Sequence, residues 1–197
     1  MIRRPPRSTL SSSSAASDVY KRQLEDLPRD TLVHLRTGIL QEQQGEQEQA
    51  LFHYKIASDA YPDSFRILFR RSIVTMNLLQ EEESIRIHQK MIELRPEHAL
   101  SLNNLAWMYL TAKDRTLRQP EKALELALKS VELEATIDHI DTLAEAYFQT
   151  GQTGKAIETL RKGIREASYP KSRERYLEGQ YRRFRKGDPR VSPPPVS

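Results

Sequence analysis

The segment 137–170 constrains the fold more than any other part of this 197-residue chain. Its first half repeats apolar residues at three- and four-residue steps, which predicts one face of a helix: Ile140, Leu143, Ala144 and Tyr147. Gly151 and Gly154 then bracket a polar turn, with Thr153 as the predicted N-cap of a second helix. The second half resumes the periodicity at Ala156, Ile157, Leu160, Gly163 and Ile164. Such a hairpin cannot bury its apolar faces alone and must stack on copies of itself.

Copies of this hairpin recur upstream at a nearly constant interval. Ala144 is preceded by Ala106, Ser72 and Gly38, at steps of 38, 34 and 34 residues. Ala156 is preceded by Ala123, Ser84 and Ala50, at steps of 33, 39 and 34 residues, and Pro28, Pro62 and Pro96 stand 34 apart. A period near 34 with two small residues per unit and a closing proline resembles the tetratricopeptide repeat. The resemblance covers residues 31–170.

This resemblance implies an all-α fold, a right-handed α-α superhelix. It has four helix-turn-helix units, at residues 31–64, 65–98, 99–136 and 137–170. In the second unit Arg71 and Met91 replace a usual leucine and alanine, and the turn of the third unit is about five residues longer than the family pattern. Residues 171–186 carry an apolar stripe, Tyr176, Leu177, Tyr181 and Phe184, among basic residues. They are predicted to form a helix that caps the last repeat, because the end of a repeat array needs a cover.

The two ends of the chain fall outside the repeat pattern. Residues 1–23 are rich in serine and arginine and resemble a translated sequencing adapter, so we interpret them as a disordered, non-native leader. An organelle transit peptide is the alternative, whereas a secretory signal is disfavoured because the segment has no apolar core. Residues 24–30 are interpreted as the remnant of a truncated upstream repeat, and residues 187–197 as a disordered tail. The compartment stays undecided.

Charge is unevenly distributed along the chain. The leader carries five basic residues and one acidic residue, and the other 174 residues carry 26 of each sign. The sequence pI of 9.3 therefore does not indicate nucleic-acid binding by the repeats. Residues 161–190 contain eleven basic and four acidic residues, a polarity that can steer a charged partner.

Catalytic and metal-binding patterns are not visible in the sequence. The chain has no cysteine, its five histidines are scattered over different units, and no glycine-rich turn continues into a phosphate-binding motif. The acidic run 81–83 is explained by the positive end of a helix dipole. We therefore predict no enzyme activity, no cofactor and no metal site.

In the repeat family the first helix of each pair lines a concave groove, which binds a peptide or a helix. Carried over by position, the groove residues are Leu35, Ile39, Glu42, Arg66, Phe69, Ile73, Met76, Asn77, Asn103, Trp107, Leu110, Asp138, Asp141 and Glu145. The predicted anchors are Phe69 and Trp107, although Trp107 fits half-buried packing equally well. Of the lysine, asparagine and arginine positions of a carboxylate clamp only Asn104 matches, so a clamp is not predicted. Basic residues do not line the groove as RNA binding requires.

The sequence thus predicts a protein–protein interaction scaffold with a protein or peptide partner. Two alternatives stay open. The chain could be the C-terminal module of a larger bacterial protein, for example a membrane-bound glycosyltransferase-like enzyme, or it could be a self-associating solenoid.

Overall fold

The computed structural model describes residues 28–189, and within them it is all helical. The leader 1–23, the first residues of the predicted remnant and the end of the predicted tail lie outside the described residues. Nine α-helices follow in chain order: α1 Arg29–Gln43, α2 Gln47–Ala60, α3 Phe65–Asn77, α4 Glu81–Leu94, α5 Ala99–Thr111, α6 Pro120–Leu133, α7 Ile137–Gln149, α8 Thr153–Glu166 and α9 Lys171–Lys186. A short 3₁₀ turn, Arg115–Leu117, lies between α5 and α6. Within 28–189 there is no β-strand, so the predicted all-α class is confirmed.

The chain divides into two compact units, up to Arg70 and from Arg71 onward. In the first unit α1 and α2 pack as a hairpin in which Gly38 lies against the ring of Tyr54. A β-carbon on Gly38 would stand 2.7 Å from Tyr54 Cε1, so this position needs glycine. Helix α1 begins at Arg29, two residues before the predicted unit, because Pro28 precedes the helix and Asp30 suits its first turn.

The second unit has two apolar clusters. The first cluster contains residues of the four consecutive helices α4, α5, α6 and α7. Its buried members are Ile85, Leu105, Ala106, Met108, Tyr109, Leu110, Ala123, Ala127, Leu143 and Ala146. The other joins α7, α8 and α9, and its buried members are Ile137, Ala144, Ala156, Leu160, Leu177 and Phe184. Leu177 is 2 % exposed and Phe184 is fully buried, so α9 covers the apolar face of the last hairpin.

Three tight turns end first helices with a residue in the left-handed region. Gly45 and Gly151 have φ of 81° and 77°, which glycine adopts without steric cost. Leu79 occupies the same place in the second hairpin with φ 54°. The predicted N-cap Thr153 is wrong, because Thr153 is the first residue inside α8. Gln152 holds the cap position and makes no side-chain cap hydrogen bond.

Candidate functional site

In the first unit the predicted groove residues differ widely in exposure. Leu35 on α1 is fully buried, so it offers no surface to a partner. Ile39, on the same helix, is half-buried. Glu42 accepts a hydrogen bond of 2.5 Å from the Tyr54 hydroxyl, and its Oε2 lies 3.5 Å from Arg70 Nη1. Burial, together with the bond to Glu42, raises the pKa of Tyr54 above its usual value. Glu42 is therefore fixed in place by two neighbours.

The residues predicted from α3 are mostly accessible. Arg66 and Phe69 are half-buried, and the rings of Phe65 and Phe69 stack with centroids 6.4 Å apart. In the second unit Ile73 and Met76 are half-buried and Asn77 is exposed. Apolar side chains are thus partly accessible on α3 both before and after the boundary between the two units at Arg70.

Helix α5 presents one open stripe around Trp107, which is half-buried. Leu100, one of the residues that the sequence reading missed, is 41 % exposed seven positions earlier, two helical turns away on the same face. The i, i+7 spacing of Leu100 and Trp107 was the signal that could have identified it. Asn103 is only 7 % exposed and Leu110 is fully buried, so these two predicted residues pack inside.

The stripe on α5 is held by its neighbours. Asn104 lies at half depth, with its Nδ2 3.4 Å from His88 Nε2, and His88 Nδ1 lies 2.9 Å from the Ser84 carbonyl oxygen. Burial lowers the pKa of His88, which favours the neutral ring that this pattern requires. The Thr111 hydroxyl donates to the Trp107 carbonyl at 2.8 Å. Asn104 and Thr111, about one helical turn before and after Trp107, thus both have hydrogen-bond partners.

Two of the three predicted acidic residues of α7 lie beneath α9 instead of in an open groove, and the third, Asp138, is exposed. Asp141 is 4 % exposed and Glu145 is fully buried. The Tyr176 hydroxyl donates to Asp141 Oδ2 at 2.8 Å, Arg183 forms an ion pair with Glu145, and Gln149 Nε2 donates to Glu145 Oε1 at 2.8 Å. The outermost of the three, Asp138, forms an ion pair with Arg173. Helix α9 thus supplies a partner to each of the three carboxylates, and Gln149 of α7 is a second partner of Glu145.

Two findings concern ions and membranes. Among residues 28–189 no three histidine, aspartate or glutamate side chains come together as a metal site would require. His34 and His53 approach with their Nδ1 atoms 2.8 Å apart, and burial lowers the pKa of His53, with the nearby His34 adding to this effect. Over the same part of the chain, no helix has both the length and the apolar character needed to span a bilayer.

Comparison with known proteins defines the fold. No protein-family model matches the sequence, and no curated protein matches it. Among solved structures, a crystal structure of MamA is 18 % identical over 82 % of this chain and 84 % of its own, with a TM-score of 0.69. A tetratricopeptide repeat protein from Parabacteroides merdae is 18 % identical over 89 % of this chain and 66 % of its own, with a TM-score of 0.67. A thermophilic TPR protein from Thermus thermophilus is 18 % identical over 88 % of this chain and 90 % of its own, with a TM-score of 0.57. The chain therefore has the tetratricopeptide-repeat fold, as the period near 34 predicted.

Proposed function

We propose that this protein is a protein-interaction scaffold that binds a peptide or a helix on the open face of α5. The observation that carries the proposal is the pairing of the half-buried Trp107 with the 41 % exposed Leu100 on one side of α5. Aromatic residues on rigid supports contribute much of the affinity in protein interfaces, because they bury a large area at little entropic cost. A partner would place an apolar side chain against each of these two residues.

The other predicted groove residues take different parts in this proposal. Ile39, Arg66 and Phe69 on the first unit, and Ile73, Met76 and Asn77 on the second, are accessible enough to contact a partner directly. Glu42 is a fixed carboxylate that could accept from a partner's basic group. Leu35, Asn103, Asp141 and Glu145 are buried, so their role is to support the helices that carry the contact residues. The tetratricopeptide-repeat fold of the similar solved structures supports a role in binding without catalysis. The partner we propose is a protein.

The test begins with a random peptide display library selected on the full chain. Enriched peptides are labelled, and their affinity is measured by fluorescence anisotropy. We expect Trp107→Ala and Leu100→Ala each to weaken binding by about tenfold or more, as is typical for a central interface residue. Leu128→Ala is the matched control, because Leu128 is 43 % exposed on the second helix of the same hairpin. A thermal melt of each variant separates loss of contact from loss of fold.

Intrinsic fluorescence gives an independent readout, because Trp107 is the single tryptophan of the chain. A peptide that seats on α5 should shift its emission maximum. The proposal fails if no peptide is enriched, or if enriched peptides bind the Trp107→Ala and Leu128→Ala variants equally well.

A further inference from the structure

A second surface, separate from the α5 face, lies between α8 and α9. It is a cleft of about 370 Å³ lined by Arg161, Ile164, Arg165, Glu178, Tyr181 and Arg182. Ile164 and Tyr181 are half-buried and form its apolar floor, whereas the three arginines are exposed at its rim. The cleft therefore combines apolar surface with concentrated positive charge.

Basic residues outnumber acidic ones around this cleft. Exposed glutamates, Glu158, Glu166 and Glu174, lie on the same two helices as its arginines. Glu178, the one acid in the lining, lies 3.2 Å from Arg182 through its Oε2 and neutralises that arginine. Within residues 28–189 no carboxylate forms an ion pair with Arg161 or Arg165. Further exposed basic residues flank them on the same two helices: Lys162, Lys171, Arg175, Arg185 and Lys186. Of these, Lys162 lies 3.9 Å from Glu166 and Arg185 stacks over the Tyr181 ring at 6.0 Å. An acidic ligand is the electrostatic complement of this surface.

The position of the cleft in the repeat stack indicates the shape of its ligand. An equivalent arrangement lies one repeat earlier. There α6, the second helix of the third repeat, packs beside α7, the first helix of the fourth repeat, and α8 lies against them. The three helices meet around Val131, Ile140 and Thr159. There α8 buries Ala156 and Leu160 against α7. Helices α8 and α9 form the next pair of the same kind, and both pack on α7. Among the described residues no helix follows α9 to cover the side of this pair where the cleft lies. By this analogy the α8–α9 cleft lies where the next second helix of the stack would pack, and it is lined by three arginines.

We propose that the α8–α9 cleft binds an acidic amphipathic helix of a partner protein, in the place that the second helix of a fifth repeat would occupy. The apolar face of the partner helix packs on Ile164 and Tyr181. Its carboxylates pair with Arg161 and Arg165. This site is independent of the α5 face, and its test is chosen so that the two proposals fail separately.

The probe is a labelled peptide with the sequence of α6, Pro120–Leu133, in which Lys122 and Lys129 are both replaced by glutamate. A hydrocarbon staple keeps it helical, because a free helix of this length is marginal in water. The unmodified α6 sequence with the same staple is the control probe. We expect the acidic probe to bind the full chain about tenfold more tightly than the control probe, and more weakly as salt rises.

Two matched protein variants locate the binding. Arg161→Gln with Arg165→Gln should weaken the acidic probe by about tenfold or more, since both unpaired charges of the cleft are removed. Lys122→Gln with Lys129→Gln removes the same charge from exposed positions on α6 and should change affinity less than about twofold. Trp107→Ala should leave probe binding unchanged, which separates this site from the α5 face.

Three results would overturn the proposal. The first is equal binding of the acidic and control probes. The second is an equal loss in both double variants, which would reveal a general charge effect. The third is absence of probe binding while phosphatidylserine vesicles or single-stranded RNA bind in a manner that depends on Arg161 and Arg165, which would reassign the surface to a lipid or a nucleic acid.

Discussion

Asp141 and Glu145 lie one helical turn apart on α7, yet α9 gives them different partners. Glu145 receives a charged partner, Arg183, whose guanidinium also lies over the Phe148 and Phe184 rings at 5.0 and 4.6 Å. Among the residues that the structure describes, the one hydrogen-bond donor to Asp141 is neutral, the hydroxyl of Tyr176. Burial raises the pKa of Asp141 to about 7; Glu145 and Asp138 add to the rise, and the Tyr176 bond and Arg173 oppose it. Asp141 is thus protonated in the folded protein at mildly acidic pH.

The raised pKa of Asp141 predicts a pH-dependent stability. The folded protein keeps this proton from about pH 4 to about pH 7 while the unfolded chain loses it, so stability falls as the pH rises through that window. Asp141→Asn is neutral at every pH and should escape this loss. Relative to wild type, its free energy of unfolding in urea should increase by about 2–3 kcal/mol between pH 5 and pH 8. A constant difference between the two proteins would show that Asp141 ionises normally.

Helix α8 approaches α7 closely at Gly163. A β-carbon on Gly163 would stand 2.6 Å from Ile140 Cγ2, so Gly163→Ala must displace Ile140 and should lower the free energy of unfolding by about 1–3 kcal/mol. Gly179 in α9 is the matched control, because nothing lies within 4 Å of the β-carbon that alanine would add. Gly179→Ala should raise stability by about 0.5–1 kcal/mol through helix propensity alone. Chemical denaturation of both variants measures the contrast, and equal effects would refute it.

At the scale of elements, the long connection between α5 and α6 is held by a side chain from α4. Glu81 accepts from the Lys113 backbone N–H at 2.8 and 3.0 Å, and from the Asp114 N–H at 3.3 Å. Asp114 in turn accepts from the Thr116 N–H at 2.8 Å. The extra residues of this connection are therefore pinned to the preceding hairpin.

Glu81→Ala should release this connection. Loss of charge-assisted bonds to two backbone amides should accelerate hydrogen exchange at Lys113 and Asp114 by about tenfold or more, at a cost of about 1–3 kcal/mol. Glu82→Ala is the control, because Glu82 is exposed and forms an ion pair with Arg86 on its own helix. Amide exchange followed by nuclear magnetic resonance gives the rates. Unchanged rates at both amides in the Glu81 variant would contradict this role.

The same elements show where sequence reading succeeds and where it stops. The apolar faces of α7 and α8 were predictable because Leu143, Ala144 and Leu160 follow the local 3.6-residue period. The left-handed turn at Leu79 was not, because leucine gives no sign of positive φ where other turns carry glycine.

The candidate site was predictable in part for a similar reason. Trp107 could be placed on a first helix by the repeat period, but its neighbour Leu100 was missed. The burial of Asp141 and Glu145 depends on Tyr176 and Arg183, which lie 35 and 38 residues away in the chain. Repeat position assigned both acids to an open groove. Residues 171–186 were predicted to cap the last repeat, but no local pattern shows that this helix covers the two acids.

Across the whole molecule, equivalent positions of the repeats differ in exposure. Leu40 is 54 % exposed, whereas its counterparts Met108 and Ala146 are 8 % and 0 % exposed. Val33 is likewise 54 % exposed, and its counterpart in the last repeat, His139, is 3 % exposed. The face that later repeats bury in their stack is thus open on α1.

This difference predicts a gradient of local stability. Repeats gain much of their stability from neighbours, so backbone amides in residues 31–62 should exchange faster than those in residues 137–167. Exchange followed by mass spectrometry on the full chain measures both segments together. Uniform protection would mean that α1 gains equivalent support from a source other than the repeat stack.

The ion pairs and hydrogen bonds between α7 and α9 also bear on how such an array can change by gene duplication. If residues 137–170 were copied in tandem, one copy of the buried Asp141 and Glu145 would face a new repeat instead of the residues of α9 that now pair with them. Burying such carboxylates without partners costs several kcal/mol. An array of this kind therefore gains or loses units more readily at its first repeats, while the last repeat and its terminal helix are inherited as one block.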